Sequence, residues 1–448
     1  MKCSSAIPTP SRAKAARAGL VVLCCLFCAV PSIVLAQDTP LSFRTAIELA
    51  LKNSATSGMA RADAQRARAN YLQTRDLFLP QVTLGSGLAF SYGFPLSIEG
   101  SAPSIIDLNT QQFLLNAAQM QFMKAARSDV NATTAQNADR RNDVIMETAL
   151  DYIQLDLLES SAHVQSEQQQ VAQKFEDVVN QRVQAGVDAP VELTRARLAS
   201  ARTRMELADT QAAIDQLRLR LSQLTGLPQN AIQPSTETIP QLPKVAQDED
   251  LETQAVQNSP AVKIADEAAR AKAFRAKGEE RQLYPAVDLV AHYAILARYN
   301  NYDQFFNKFQ RHNATLGVAI RFPFFSPAQR ETAKSAEADA LKAQKEAQNV
   351  KEQVSTETLR LQRSVQKLAA AQDVSKLEHQ LAEADTETTH EKIQAGQATL
   401  KDEQNSRIIE HERYSIYLNS SFDLDKAQIQ LLRQIGQLEA WALGPGKP

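Results

Sequence analysis

His390-Glu391 and His411-Glu412 begin the His-Glu pattern with which a helix offers a catalytic zinc its ligands and a general base. Neither is followed by the second histidine that such a site requires. The other histidines, His163, His292, His312 and His379, show no metal spacing, and all six read as exposed helix or loop residues. Leu84-Gly85-Ser86-Gly87 lacks the G-x-S-x-G order of a nucleophile elbow, and no phosphate loop or dinucleotide fingerprint occurs. The residues therefore predict no enzyme, no metal and no cofactor. Two acids stand apart by their placing: Glu192 and Asp402 each follow a glycine, Gly186 or Gly396, by six residues. An acid in the first turn of a helix is favoured by the dipole, so the spacing speaks of electrostatics rather than bond-making.

Those two acids are 210 positions apart, and so are other pairs. Gln184-Ala185-Gly186 recurs as Gln394-Ala395-Gly396, Leu224-Thr225-Gly226 aligns with Gln434-Ile435-Gly436, and Ala118-Gln119 recurs as Ala328-Gln329. Pro80 pairs with Pro285 at an offset of 205, so five residues were gained between those marks. The chain reads as an internal duplication.

Lys2, Arg12, Lys14 and Arg17 precede an apolar run from Gly19 to Val30, and Val34-Leu35-Ala36 offers a cleavage site before Gln37. This is the pattern of a secretory signal peptide over residues 1–36. The run is too short for the roughly 20 residues of a membrane span. Cys3, Cys24, Cys25 and Cys28 all lie in the signal, so disulfides and thiolate metal sites are not expected beyond residue 36. The remainder carries 45 Lys+Arg against 51 Asp+Glu, a formal charge of -6 that gives no reason to expect a nucleic-acid partner.

Neither Gly nor Pro occurs between Pro103 and Gly186 or between Pro327 and Gly396. Such Ala-, Gln-, Glu-, Lys- and Arg-rich stretches predict continuous helices, about 100 Å long for 67 residues at 1.5 Å each. Leu193, Ala196, Ser200, Thr203, Leu207, Thr210, Ile214, Leu217, Leu221 and Leu224 alternate three and four apart. That is a coiled-coil seam, and its small, polar middle requires packing from several sides.

Strands interrupt the helices. Val82, Leu84, Ser86, Leu88, Phe90, Tyr92 and Phe94 alternate with small or polar residues from Gln81 onward. Val287, Leu289, Ala291, Tyr293 and Ile295 form a second such face, and Leu316, Val318, Ile320, Phe322 and Phe324 a third. Ile105 to Leu115 alternates poorly. Nine to fourteen alternating residues ending in aromatics match transmembrane β-barrel strands; a half-buried soluble hairpin alternates similarly, but two hairpins set between long helices in a secreted, cysteine-free chain have no other obvious core. Four strands per chain cannot close a barrel, and unpaired edges in lipid cost several kcal/mol each, so copies must join. Two chains give eight strands and three give twelve; only the latter leaves a lumen, so a conduit prefers three.

The segments from Phe94 to Ser104 and from Arg298 to His312 are then strand-joining loops outside the cell. The expected organisation is a signal peptide (1–36); a first repeat (37–226) with a β-hairpin at about 81–115 and a helix turn near 186; a Pro-rich linker or equatorial region (227–260); a second repeat (261–440) with a hairpin at about 286–324 and a turn near 396; and a tail (441–448).

Over its length beyond the signal, the chain resembles the TolC-type outer-membrane efflux proteins. The resemblance rests on Leu41-Ser42-Phe43-Arg44-Thr45-Ala46, on Leu316-Gly317-Val318-Ala319-Ile320-Arg321-Phe322-Pro323-Phe324-Phe325, on the two Gly turns and on the duplicated order of elements. It implies a membrane protein of mixed α and β class. In that family three copies form a 12-stranded outer-membrane β-barrel, continued by a periplasmic α-helical barrel. It further implies a passive exit duct of a tripartite efflux or type I secretion system, opened by a periplasmic adaptor (a membrane fusion protein) and an inner-membrane pump or exporter. The turns, Arg182, Ala185, Gly186 and Val187 with Lys392, Ala395, Gly396 and Gln397, are where such an adaptor touches. Asp402, with Glu192, takes the place of an acidic constriction. Asn405 stands where the family often has a second acid, Ile393 and Ala398 where some members have a Tyr and Arg latch, and Lys401 and Glu403 at usually apolar positions. These departures imply a mouth held by packing and fewer charge links. The alternative reading is a periplasmic coiled-coil adaptor or structural protein, which would carry one helical hairpin between compact β-domains.

Overall fold

The computed structural model describes residues 40–90, 92–93, 96, 102–243, 250–298, 304 and 308–444. The expected signal peptide, most of both strand-joining loops and the last four residues lie outside them. In chain order come α1 (Phe43–Asn53), α2 (Ala55–Asp76), β1 (Gln81–Gly87), β2 (Ser104–Leu115), α3 (Ala117–Gln184) and α4 (Pro190–Thr225). After two short 3-10 turns follow α5 (Leu251–Asn258), α6 (Pro260–Arg281), β3 (Ala286–Leu296), β4 (His312–Arg321), α7 (Pro327–Gln394), α8 (Leu400–Ile435) and α9 (Leu438–Leu443). The class is mixed, mostly helical with one small sheet.

The breaker-free stretches are single helices: α3 and α7 each run 68 residues, start 210 positions apart and end 210 apart. At 1.5 Å per residue each is about 100 Å long. Asn116 caps α3 by accepting from the Gln119 amide at 2.9 Å, and Pro327 opens α7 at a position whose amide needs no partner. In the α4 seam, Ala196, Ser200, Ile214 and Leu221 are buried and the remaining members half-buried, whereas the residues between them are largely exposed. The 3.5-residue period is thus the contact with α3.

Both short helices are continued end to end by another helix. Asn53, at the close of α1, donates its amide to the Thr225 carbonyl at 2.5 Å, so α4 stops where α2 begins. Asn258 does the same for Ile435 at 3.2 Å, setting α8 against α6. Gly226 (φ +77°) and Gly436 (φ +78°) end α4 and α8 in the left-handed region. A Cβ there would also stand 3.1 Å from the Asn53 amide nitrogen or 3.0 Å from the Asn258 Cβ. Since α2 and α4 both pack on α3, α6 and α8 both on α7, and α3 on α6, the helices lie in the order α2, α3, α6, α7 and, beyond the junctions, α4, α3, α8, α7.

The largest core sits at these junctions. Phe43, Ile47, Tyr152, Leu155, Leu221, Ile232, Leu251, Ile429, Leu431 and Leu438 are almost fully buried in it. The Tyr152 hydroxyl donates to the Leu41 carbonyl at 2.6 Å and accepts from the Ser235 amide at 2.8 Å, stitching the start of the chain and the inter-repeat segment to α3. Phe43 meets the rings of both Tyr152 and Trp441 edge-on at 5.4 Å. The expected tail therefore begins within α9, part of this core, and the inter-repeat residues Leu227, Ile232, Ile239 and Leu242 lie in or against it.

All four strands form one antiparallel sheet in the order β1-β2-β3-β4. Three strand bounds differ from expectation. β1 ends at Gly87, with Leu88–Phe90 beyond it, after an irregularity between Gly85 and Gly87 breaks the ladder. β4 begins at His312 and ends at Arg321, leaving Phe322, Phe324 and Phe325 outside, because Pro323 has no amide to donate. The poorly alternating segment is a full 12-residue strand, β2, whose register shifts at both ends blur its period.

Candidate functional site: two helix turns and a two-faced sheet

The α3–α4 and α7–α8 turns are built alike. Ala185, Gly186 and Val187 amides donate to the carbonyls of Gln181, Val183 and Arg182 at 3.0, 3.0 and 2.9 Å. Ala395, Gly396 and Gln397 repeat the pattern on Glu391, Ile393 and Lys392 at 3.0, 2.9 and 2.8 Å. Gly186 (φ +73°) and Gly396 (φ +71°) supply the left-handed residue that this helix ending requires. No atom lies within 4 Å of a Cβ at either, so conformation rather than space demands glycine. Arg182, Ala185, Gly186, Val187, Lys392, Ala395, Gly396 and Gln397 are all exposed.

Charges around the two turns are arranged differently. Arg182 closes the first with a forked pair of bonds to Asp188 at 2.7 and 3.0 Å, and that bond holds the Asp188 carboxyl below its usual range. Glu192 pairs with Arg195 at 2.5 Å and reaches Lys401 of α8 at 3.9 Å, which joins one turn region to the other. Asp402 bends back onto its own helix start, accepting from the Thr399 amide at 2.9 Å and hydroxyl at 2.7 Å in a reciprocal capping box. Those bonds lower its pKa, with Lys401 adding to the effect. Asn405 is exposed. Glu403 is 9 % exposed and accepts from His390 and Arg407. Burial alone would raise its pKa, but the Arg407 and His390 bonds bring it below the usual value. The expectation of exposed helix or loop histidines fails at four places: His292 is half-buried in β3, His312 opens β4, His411 is half-buried, and His379 lies against the rings of Tyr414 and Tyr417.

The sheet has two chemically distinct faces, because directly paired residues point to the same side. On one, Val82, Leu84, Leu108, Ala291, Tyr293, Leu316, Val318 and Ile320 are neighbours across the four strands. Leu84, Leu316 and Ile320 are at least 70 % exposed. On the other, Thr83, Asn109, His292 and Thr315 form one polar row. Asp107 holds His292 at 2.8 Å, and Asp288 is joined by Gln111 and Arg321. Phe322, Phe324, Phe325 and Tyr284 are exposed just beyond the strand ends nearest the helices.

Asn53, Asn258, Thr399 and the Glu192–Lys401 contact were not foreseen. The two asparagines did carry a signal, since they share the 205 offset of Pro80 and Pro285; Thr399 and Asp402 have capping-box spacing.

Residues 46–227 match the model of the outer membrane efflux protein family. No curated protein matches the chain. Among solved structures, the fold is similar to that of the outer membrane protein VceC from Vibrio cholerae, with 21 % identity and a TM-score of 0.68 over 87 % of this chain and 96 % of that one. It is similar to the Campylobacter jejuni CmeC outer membrane channel at 14 % identity and a TM-score of 0.74, over 88 % and 86 % of the two chains. The open state of the Neisseria gonorrhoeae MtrE outer membrane channel gives 15 % and 0.67 over 91 % and 93 %. The family's pattern over residues 46–227 and the likeness to the fold of outer-membrane channels over most of the chain agree with one another.

Proposed function

We propose that three copies of this chain form an outer-membrane duct with a 12-stranded barrel and a helical tunnel, a passive conduit that a periplasmic adaptor opens for an inner-membrane pump or exporter. One observation carries the reading. Among the described residues, a four-stranded sheet with an exposed apolar face and a polar face has both outer edges, β1 and β4, unpaired within the chain. In lipid such edges must pair, and β1 of one copy against β4 of the next closes the sheet with the polar face inward. Ten residues of β4 span about 33 Å, or about 25 Å of height at a tilt near 40°, the thickness of an outer-membrane apolar band.

The helices support the same count. Val191, Leu198, Met205, Ala212 and Leu219 repeat every seven residues on the exposed side of α4. Val374, Leu377 and Leu381 form an exposed stripe on α7. Since α4 and α7 end the row α4, α3, α8, α7, these stripes meet between neighbouring copies in a ring. Arg195, Arg202 and Arg204 flank the first, and Glu383, Asp385 and Glu387 the second. The exposed turns are the tunnel's periplasmic mouth and adaptor contact, where Asp402, Glu192 and Asn405 line the constriction. No bond is made or broken in the solute.

Met205 and Leu381 stand at nearly equal depth, about 22 and 20 Å from their turns at 1.5 Å per residue. Every natural cysteine lies at or before position 28, so a Met205→Cys, Leu381→Cys chain reports cleanly. Oxidation should give dimer and trimer bands on denaturing gels and a fixed conductance in planar lipid. Monomer bands alone refute the arrangement.

A further inference from the structure

Across β2, β3 and β4 the apolar face of the sheet is not flat. Ala291 and Ala314 stand low among Leu108, Thr110, Tyr293 and Leu316, and the dip they leave is a groove of about 350 Å³. At its end toward the β3–β4 loop, the Tyr293 hydroxyl and His312 Nδ1 are 2.8 Å apart and the two rings stack. Ile295 pairs with His312; Arg298 lies three residues past the one and Lys308 four before the other. Arg311 adds a third cation beside His312, and all three are exposed. Among the described residues none of these three side chains has an ionic partner. From Arg298 to His312 the sequence holds one acid, Asp303, which lies outside the described residues. At the other end of the strands cations stand among carboxylates: Arg75 pairs with Asp76 at 2.7 Å, Arg321 with Asp288 at 2.5 Å and Lys334 with Glu331 at 2.9 Å.

We propose that this groove and its basic rim hold a phosphorylated glycolipid of the outer leaflet, one acyl chain lying over Ala291 and Ala314 and a phosphate against His312 and the rim cations. The depth agrees. Four residues separate Leu316, in the middle of β4, from His312, which is about 13 Å of strand and about 10 Å of height at a tilt near 40°. Half of an apolar band is about 12 Å, so His312 lies just inside its edge, and Arg298 and Lys308 reach the headgroups. Hydrocarbon gains nothing by moving from lipid to a lipid-facing groove, so the groove positions a chain by packing alone. Selection falls to the phosphate, which Arg and Lys bind by charge-assisted hydrogen bonds.

The proposal rests on the reading above that the apolar face meets lipid. Native mass spectrometry of the detergent-folded chain, titrated with diphosphorylated lipid A or with its dephosphorylated form, tests it, and the chain count in each spectrum shows whether a variant has assembled. A trimer should retain up to three molecules of lipid A and far fewer of the dephosphorylated form. Arg298→Gln with Lys308→Gln should weaken binding about 30-fold, about fivefold for each cation at an anionic lipid surface. Ala314→Leu fills the groove without changing charge and should weaken binding about threefold, the worth of about five lost carbon contacts. Arg330→Gln with Lys334→Gln, at the helix end of the sheet, should leave it unchanged. Equal binding of the two lipids, full affinity in the rim or the groove variant, or an equal loss from the helix-end pair overturns the proposal; if the protein is still a conducting trimer, the duct stands without it. A lone chain removes both.

Discussion

Leu316 and Thr315 are adjacent in the middle of β4, both exposed in the single chain and on opposite faces of the sheet. Arginine at each is a sharp test of what those faces meet. If the apolar face meets lipid, Leu316→Arg places a guanidinium near the bilayer midplane, which costs about 2 to 4 kcal/mol in a barrel. Three copies raise this to about 6 to 12 kcal/mol for the assembly, if the sites act independently. If the polar face lines water, Thr315→Arg costs less than about 1 kcal/mol, as most exposed substitutions do. The assay is urea-dependent folding into phosphatidylcholine vesicles, read by heat-modifiable migration on gels. Leu316→Arg should shift the midpoint strongly or abolish folded trimer, and Thr315→Arg should fold. Equal effects of the two substitutions refute the barrel, because a sheet surrounded by water has no reason to distinguish them.

Gly436→Ala forces a side chain into the left-handed region and against Asn258, so thermal melting in detergent should report a loss of about 1 to 2 kcal/mol per chain. Asp151 is buried beside Arg220, and burial followed by Glu147 outweighs that attraction, raising its carboxyl to about 6. A raised acid gives stability present below 3.8 and lost as pH climbs through 6; Asp151→Asn should therefore gain about 2 to 3 kcal/mol at pH 8 and little at pH 3.5, read from melts at both. Asp402→Ala should raise conductance and weaken cation block of reconstituted channels; if both stay unchanged, Asp402 has no part in the constriction.

Features set by local chemistry were legible in the sequence. The long helices follow from the absence of Gly and Pro, the seam from its 3.5-residue period, and the turns from glycines where positive φ is needed. The sheet's apolar face could be read because alternation is a local property of a strand. What could not be read depends on long-range pairing. β2 lost its alternation to register shifts that only β1 and β3 reveal. The α8 start read as one half of an acidic constriction, yet Asp402 caps its helix, Glu403 is buried on His390 and Arg407, and Lys401 meets Glu192 of α4. Thr399 and Arg407 stand three and four residues from their partners, spacings that the sequence does show, whereas His390 and Glu192 lie on other helices, at separations no periodicity encodes. His411 was misread for the same reason: burial is contributed by α7.

In the proposed trimer, edges left open in one chain are closed by two more. Native mass spectrometry of the detergent-folded protein, taken with single-channel recording of the same sample in planar lipid, tests it most directly. A trimeric duct should appear as a particle of three chains that conducts ions. A lone chain that leaves the membrane sealed contradicts it.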